Sequence, residues 1–370
     1  MFILHRYGFF GSECHTRVTQ LSYDEVVSQQ AIDLITLIGE NDMNNSTMLI
    51  TGGTGSWGEE LIRQLLLMEP KEIRVFSRNE SLQAKLRQAL GDARLQFIIG
   101  DIRDRSELLS AFAGVDYAFH LAALKHVPIC EEQPDSALKT NVIGTQNVID
   151  AAIECGVKKV IYVSTDKASN PSNIYGMTKA LGERLVLHAD SKSATRFACL
   201  RSGNVLGSAG SVVPLFLRQI EMNQHLSVTD PRMTRYFLTL EDAVQKLLSA
   251  MEISRGGEIF VTKMPSCKIT DIAQVMIEHS GNTHLKQQVI GIRPGERLHE
   301  TLISEWESSC VLDYSEDHYV ILPSGSSGGL AGERLPVDAI GKRSQNYCSE
   351  NTTISKEETS LLLLKGGFLG

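Results

Sequence analysis

No stretch of this 370-residue chain stays apolar for the roughly 20 residues that a bilayer-crossing helix needs; Leu361 to Leu364 is four residues long and ends at Lys365. No secretory leader is expected either, because His5 and Arg6 interrupt the apolar Met1 to Leu4 and no longer apolar segment with a small-residue cleavage site follows. Paired cysteines are missing. The seven present (Cys14, Cys130, Cys155, Cys199, Cys267, Cys310 and Cys348) lie far apart without a CxxC, which argues against a disulfide framework or a zinc site and fits a reducing cytoplasm. Positive charge is in deficit, with 36 Lys and Arg against 44 Asp and Glu and a net charge of -8. That balance disfavours nonspecific binding of nucleic acid, yet leaves room for a few arginines around a phosphorylated small molecule. There is no internal repeat, and Ser324 to Gly329 is the one stretch that reads as flexible.

What is present begins with Thr51-Gly52-Gly53-Thr54-Gly55-Ser56-Trp57-Gly58, directly after the apolar run Met48-Leu49-Ile50. In a dinucleotide clamp, a first glycine (Gly52) allows the strand-to-helix turn, a second (Gly55) lets backbone approach a pyrophosphate, and a third (Gly58) permits close helix packing. The stretch behind it carries Leu61, Ile62, Leu65 and Leu66 on one face and supplies a helix whose N-terminal amides face the anion. A glycine-rich turn without a ligand is the plainer alternative.

From Thr47 onward, β-rich runs alternate with helical ones. Strands are expected at Thr47–Thr51, Ile73–Ser77, Leu95–Ile99, Tyr117–Ala122, Val160–Ser164, Phe197–Arg201 and Glu258–Thr262. Helices are expected at Leu82–Leu90, Ser106–Phe112, Asp135–Cys155 and Tyr175–Ala189. Such alternation predicts an α/β fold, a doubly wound parallel Rossmann sheet, followed by a smaller C-terminal substrate-binding domain. The expected division is an extension over 1–46, a dinucleotide-binding domain over 47–205 and a substrate-binding part over 206–370, with 233–262 returning to the first domain. Within the extension, Tyr23–Ile38 reads as one amphipathic helix. A start at Met43 would put the glycine loop near the N-terminus, so residues 1–42 are expected to be dispensable for folding and activity.

Two further clusters bear on chemistry. The second strand runs into Ser77-Arg78-Asn79 where an NAD site usually carries an acid; a hydroxyl and a guanidinium suit a 2′-phosphate, favouring NADP over NAD. Asp101, after the third strand and followed by Ile102, is placed to bond the adenine, with a helix cap as its other reading. The fifth strand ends in Ser164-Thr165-Asp166-Lys167, and Tyr175 and Lys179 follow four residues apart, on one helix face. A lysine and an oxidised nicotinamide beside a phenol would lower its pKa toward neutrality and make Tyr175 a base.

At this point the chain resembles the extended short-chain dehydrogenase/reductase superfamily, and within it the inverting UDP-N-acetylglucosamine 4,6-dehydratases that make precursors of pseudaminic acid and related bacterial surface sugars. The resemblance is carried by Thr51 to Gly58, Ala122-Ala123-Leu124-Lys125-His126-Val127-Pro128, Ser164 to Lys167, Arg201-Ser202-Gly203-Asn204-Val205, Asp230-Pro231-Arg232-Met233-Thr234-Arg235 and Gly291-Ile292-Arg293-Pro294-Gly295-Glu296. It implies cofactor contacts from the glycine loop, including Ser56 and Trp57, and from Ala122, Ala123, Lys125 and Asn141. For the UDP-sugar it implies Lys125 and Asn204 beside the sugar, and Arg235, Arg293 and Glu296 around the diphosphate and ribose. Asn141 could instead bridge backbone groups. A homo-oligomer is also implied.

Lys167 discriminates within that resemblance, since retaining dehydratases have a glutamate there. The resemblance implies that Tyr175 removes the C4 hydroxyl proton, that Lys167, made neutral by burial and nearby positive charge, removes the C5 proton, and that a protonated Asp166 assists loss of the C6 hydroxyl. Both side chains reach one substrate only if the strand has ended by Thr165. One departure stands out: Ala209, in Gly207 to Val212, occupies a position where relatives often have arginine. Other readings stay open: a UDP-hexosamine 4-epimerase, a dehydratase that stops at a 5,6-unsaturated sugar, and a catalytically silent NADP-binding protein.

Overall fold

Every residue of β1 (Thr47–Thr51) is buried, because the strand lies inside the sheet with partners on both edges. The computed structural model describes residues 43–322, except Ala209 and Pro294, and residues 347–369. The helix expected at Tyr23–Ile38, the stretch Ser324 to Gly329 and the departure at Ala209 lie outside the described residues.

After β1 come α1 (Ser56–Leu66), β2 (Glu72–Ser77), α2 (Glu80–Leu90), β3 (Leu95–Ile99), α3 (Arg105–Phe112) and β4 (Tyr117–His120). A broken helical segment ends in α4 (Gly144–Glu154), followed by β5 (Lys159–Thr165), α5 (Ile174–Asp190) and β6 (Arg196–Ser202). The elements are punctuated by local chemistry. Asn79 caps α2 by accepting from the Leu82 amide at 3.0 Å, and Gly91 ends it in the left-handed conformation. Asp104, not Asp101, caps α3.

The second half adds the short β7 (Asn204–Val205), α6 (Val212–Glu221), β8 (Leu226–Val228), β9 (Thr234–Leu238), α7 (Leu240–Ile253), β10 (Ile259–Thr262) and β11 (Ser266–Lys268). Then come α8 (Ile269–Ser280), β12 (Gln287–Val289), β13 (Thr301–Ile303), β14 (Val311–Asp313), β15 (His318–Ile321), β16 (Tyr347–Cys348) and α9 (Lys356–Lys365).

The central sheet has nine strands in the order β14-β15-β10-β6-β5-β4-β1-β2-β3. From β3 to β10 the pairings are parallel, while β15 runs antiparallel to its neighbours. This is the doubly wound Rossmann arrangement, and its order reverses between β1 and β4, where a crevice opens beyond the carboxyl ends of the strands. One apolar core lies against the sheet and includes Leu49, Phe76, Phe112 and Phe197. A second joins Phe216, Phe237, Ile272, Met276 and Leu363 among α6, α8, α9 and the short strands.

Of residues 233–262, β9 belongs to a small sheet with β7 and β11, α7 lies against α1, and β10 pairs with β6. β14 and β15 also join the main sheet, which their sequence does not announce because both are short and lie far from β10 along the chain. The helix expected as one piece over Asp135–Cys155 is three: Pro134–Leu138, a π-helical turn at Lys139–Ile143, and α4. On α1, Leu66 is only partly buried, and Gln64 is buried on the inward side instead. No helix among the described residues is long and apolar enough to cross a membrane.

Candidate active site

The crevice begins with backbone that side chains would obstruct. Gly52 has φ of 73° and an added Cβ would stand 2.8 Å from the Ala122 backbone, at the meeting of the β1 and β4 ends. A Cβ on Gly58 would overlap the backbone of Gly53, so the third glycine lets α1 seat on the loop. Gly55 is different. Its Cβ would meet only the Gly52 carbonyl, at 3.4 Å, and it caps α1 without a side-chain hydrogen bond. The N-terminus of α1 thus presents backbone amides without a side-chain cap to the crevice.

A cleft of about 560 Å³ opens here. Its lining brings together Gly52, Gly55, Ser56, Trp57, Gly58, Ser77, Arg78, Asp101, Ile102, Ala122, Ala123, Lys125, Thr165, Lys167, Tyr175, Lys179 and Asn204. At the far end from the catalytic turn, the Ser77 hydroxyl accepts from Gln83 at 3.0 Å and retains its own proton to donate. Arg78 lies 3.8 Å from Asp101, whose carboxylate is already held by Arg103 at 2.5 Å. Burial would raise the Asp101 pKa, but its hydrogen bonds to Arg103 and the charge of Arg78 outweigh this and lower it. Desolvation lowers the pKa of Lys125, which also lines the cleft.

β5 ends at Thr165, and Asp166–Ala168 form a 3₁₀ turn capped by the Thr165 hydroxyl. Leaving the strand frees Asp166 and Lys167 from the rule that neighbours point to opposite faces. Thr165 Oγ1 donates to Asp166 Oδ1 at 2.8 Å, and Lys167 Nζ donates to the same oxygen at 3.0 Å. Asp166 is buried, and its Oδ2 has no hydrogen-bond partner among the described residues. Lys167 Nζ also lies 3.3 Å from Glu300 Oε1, which in turn is 3.6 Å from Arg235 Nε. Burial alone would lower the Lys167 pKa, but Asp166 and Glu300 overcome it and hold the ammonium above its ordinary range. The expectation of a lysine neutralised by its surroundings is therefore reversed in this state: two carboxylates, rather than cations alone, face it.

The phenol and the second lysine also differ from expectation. Burial pushes the Tyr175 pKa up to about 12, against the opposing charge of Lys167 and a hydrogen bond with Thr165. The cation that bears on the phenol is Lys167. Lys179 instead donates to the Val163 carbonyl at 2.6 Å and lies over the Tyr162 ring, 3.9 Å from its centroid. Its own burial lowers its pKa to about 7.

Several expected contact residues act from behind the cleft. The Thr51 hydroxyl is engaged with His120 Nδ1 at 2.7 Å, so that side chain is turned inward. Asn141 sits on the π-helical turn, where its amide accepts from the Leu124 N–H at 2.8 Å and donates to the Leu124 carbonyl at 2.9 Å. It brackets the Ala122 to Lys125 loop and is not among the residues that line the cleft. Arg235 spends its guanidinium on the carbonyls of Thr234, Arg297 and Leu298 at 2.7, 2.7 and 3.0 Å. Arg293 is exposed, 3.8 Å from Glu296, and neither lines the cleft. Their loop is tied to the start of α5 by Asn173 Nδ2, which donates to the Gly295 carbonyl at 3.0 Å.

Three supports escape a sequence reading. Arg201, fully buried on β6, makes two hydrogen bonds to Glu183 at 3.0 and 2.7 Å and two to Glu307 at 3.0 and 2.9 Å. Glu183 stands one turn beyond Lys179 on the face that carries Tyr175, and an acid on an inward face is a signal for such a brace. His120 closes an otherwise apolar strand at the switch point, and its Nε2 meets Thr145 at 3.0 Å. Glu300 has no comparable signal.

Comparison with known proteins places this arrangement. A profile of a family described as polysaccharide biosynthesis protein matches residues 48–322. The chain is 42% identical over 330 residues to a UDP-N-acetylglucosamine 4,6-dehydratase (inverting) of Campylobacter jejuni, covering 86% of this chain and 97% of that protein. It is 40% identical over 328 residues to a UDP-glucose 4-epimerase of Rickettsia canadensis, covering 86% and 96%. The X-ray structure of Pen from Bacillus thuringiensis superposes with a TM-score of 0.80 at 40% identity, over 87% of this chain and 99% of Pen. A match running from the first strand of the sheet to residue 322 takes in every element that lines the cleft, and the chain therefore belongs to the polysaccharide biosynthesis protein family.

Proposed function

We propose that this chain is an NADP-dependent UDP-N-acetylglucosamine 4,6-dehydratase that inverts C5, giving UDP-2-acetamido-2,6-dideoxy-L-arabino-hexos-4-ulose. The observation that carries the reading is Lys167 paired with Asp166 at 3.0 Å on a turn beyond β5, in the cleft shared with Tyr175 and the glycine loop. A base at C5 is what dehydration needs and epimerisation at C4 does not.

The cradle suits a dinucleotide. Gly52 and Gly58 leave room for backbone only, and the uncapped α1 start offers free amides to a pyrophosphate. Arg103 holds Asp101, and Glu107 accepts from the Asp101 N–H at 2.7 Å, which leaves Arg78, 3.8 Å from Asp101, as the guanidinium for a 2′-phosphate. The nicotinamide, when bound, supplies reversible hydride storage.

Tyr175 takes the proton of the C4 hydroxyl as the ketone forms, and a bound positive charge nearby is required to bring its pKa down from about 12. Lys167 removes the acidified C5 proton, and Asp166 gives a proton to the departing C6 hydroxyl. Water is lost; return of the hydride to C6 from the nicotinamide, when bound, and of a proton to the opposite face of C5 would complete the inverted 6-deoxy product with no net consumption of cofactor. Asn204 and Lys125, both on the cleft wall, hold the sugar nucleotide. Arg293 and Glu296, on a loop tied to the α5 start, are the groups assigned to its diphosphate and ribose.

A second reading, a UDP-hexosamine 4-epimerase, draws support from the Rickettsia relative and shares the opening oxidation. Proton NMR and mass analysis of UDP-N-acetylglucosamine incubated with the protein in deuterated water separates the readings. A C6 methyl with deuterium at C5 and the L-arabino configuration is expected. A C4 epimer or an olefinic 5,6-unsaturated product would replace the proposal, and unchanged substrate would refute it.

A further inference from the structure

We infer that Glu300 is a positioning residue for Lys167: its buried carboxylate, anchored by Arg235, holds the lysine ammonium against Asp166 and controls how readily that lysine releases its proton. The inference rests on the proposed action of Lys167 at the sugar. It concerns a residue outside the motifs of the glycine loop, the Thr-Asp-Lys turn and the catalytic helix.

Glu300 is built into the fold from both sides. It is 4% exposed; its backbone N–H donates to Ser349 Oγ at 2.9 Å, and its carbonyl accepts from the Ser349 N–H at 2.8 Å. The next residue starts β13, which pairs with β16. Arg235 grips the preceding backbone through Arg297 and Leu298 while its Nε faces the Glu300 carboxylate at 3.6 Å. Its backbone so fixed and its carboxylate buried beside Arg235, Glu300 places Oε1 3.3 Å from Lys167 Nζ.

Among the described residues, the charged groups around Lys167 come from four elements. Asp166 lies on its own turn, Glu300 comes from the segment before β13, Arg235 from β9, and the Tyr175 phenol from α5. Glu307, which accepts from Ser169 just past the same turn, is paired with Arg201 from β6, which it shares with Glu183. Two carboxylates thus alternate with two cations along Asp166, Lys167, Glu300 and Arg235. When one proton moves from Lys167 Nζ to Asp166 Oδ1, an N–H bond breaks and an O–H bond forms. The products are a neutral amine and a carboxylic acid, the base and the acid that the proposed reaction uses. Glu300 and Arg235 remain a matched pair, so the set keeps its formal neutrality and no lone charge is created in a buried site. Without the Glu300 charge, Lys167 would be neutral too readily and its link to Asp166 would be weakened.

The test needs no substrate at first. Competitive acetylation of the full chain with acetic anhydride at fixed pH, read by peptide mass spectrometry, reports the neutral fraction of each lysine, with exposed Lys158 as internal reference. An opposite charge at this range moves a pKa by about 1–3 pH units, so Glu300→Gln should acetylate Lys167 at least about tenfold faster than wild type, with Lys158 unchanged. Glu300→Asp, which keeps the charge one methylene further back, should give a smaller rise and serves in place of Glu300→Gln if thermal melting shows that variant unfolded. Equal Lys167 labelling in folded wild type and variant would overturn the inference. With UDP-N-acetylglucosamine, the acidic limb of the kcat profile in Glu300→Gln should move to lower pH while KM stays near wild type, and Glu300→Asp should restore much of the profile. A limb that does not move would also overturn it. Failure of the wild type to dehydrate this sugar would defeat the functional reading alone, because the labelling comparison still decides the role of Glu300.

Discussion

Alanine at each glycine of the loop separates packing from ligand approach, because the three positions meet different obstacles. At Gly58, a Cβ overlaps the Gly53 backbone, so α1 must lift from the loop. Overpacking of this kind costs about 1–3 kcal/mol. At Gly52, the positive φ of 73° adds strain of order 1–3 kcal/mol to a 2.8 Å approach to Ala122. At Gly55, φ is -83° and ψ 169°, open to any residue, and the one near atom is at 3.4 Å. Gly55→Ala should therefore cost no more than about 1 kcal/mol, the difference between glycine and alanine at an N-cap. Its methyl would nonetheless stand at the α1 start, where a pyrophosphate must approach. Thermal melts would give the stabilities. Titration with NADP, followed by fluorescence of Trp57 on the cleft wall, would give affinities, with Trp306→Phe as background to remove the other tryptophan. The expected pattern is lost affinity with at most a small loss of stability for Gly55→Ala, and a larger loss of stability for Gly52→Ala and Gly58→Ala. Wild-type NADP affinity in Gly55→Ala, or wild-type stability in Gly58→Ala, would refute the reasoning.

Arg78→Ala should weaken NADP far more than NAD, since it removes a charged donor from the proposed 2′-phosphate site; equal losses in parallel titrations would count against that site. Lys167→Ala should keep NADP binding and C4 oxidation yet block dehydration, and full turnover by the product assay would sink its assigned role. Glu183→Gln leaves Arg201 buried with one carboxylate fewer and should destabilise the fold by up to about 3–5 kcal/mol in denaturant unfolding, with the loss reduced by the surviving Glu307 contact. His120 bears on pH. Burial, followed by the charge of Lys179, lowers its pKa from 6.5 to about 3, so its neutral form contributes stability that is present above pH 6.5 and lost as pH falls through 3. His120→Asn should flatten the fall in stability between those values, and an unchanged slope in acid unfolding would contradict this.

Much of the fold was legible along the chain because a doubly wound sheet repeats one local unit. β1, β2, β3, β5 and β6 fall within a residue or so of their expected bounds, since strands of a parallel sheet, even the edge strand β3, read as short apolar runs. β4 stops at His120, before the expected Ala122, because the chain must leave the sheet to let Gly52 approach. The single helix expected over Asp135–Cys155 fails at its π-helical turn, which hydropathy cannot reveal: the disturbance serves the contact of Asn141 with Leu124, a tertiary partner.

The chemistry divides in the same way. Sequence by itself determined which groups could meet at the cleft: glycines at fixed spacing, a strand ending in Thr165 before Asp166 and Lys167, and Tyr175 one helical turn from Lys179. Each of these is a local relation fixed by backbone geometry. Tertiary structure alone decided their charge states and which supposed ligands face inward. Lys167 is held as an ammonium by Asp166 and by Glu300, which arrives from the segment before β13; Tyr175 is held protonated by burial, and Arg235 is turned to backbone carbonyls. Protonation follows the distances and desolvation that the whole fold imposes, and residues far apart in the chain supply them.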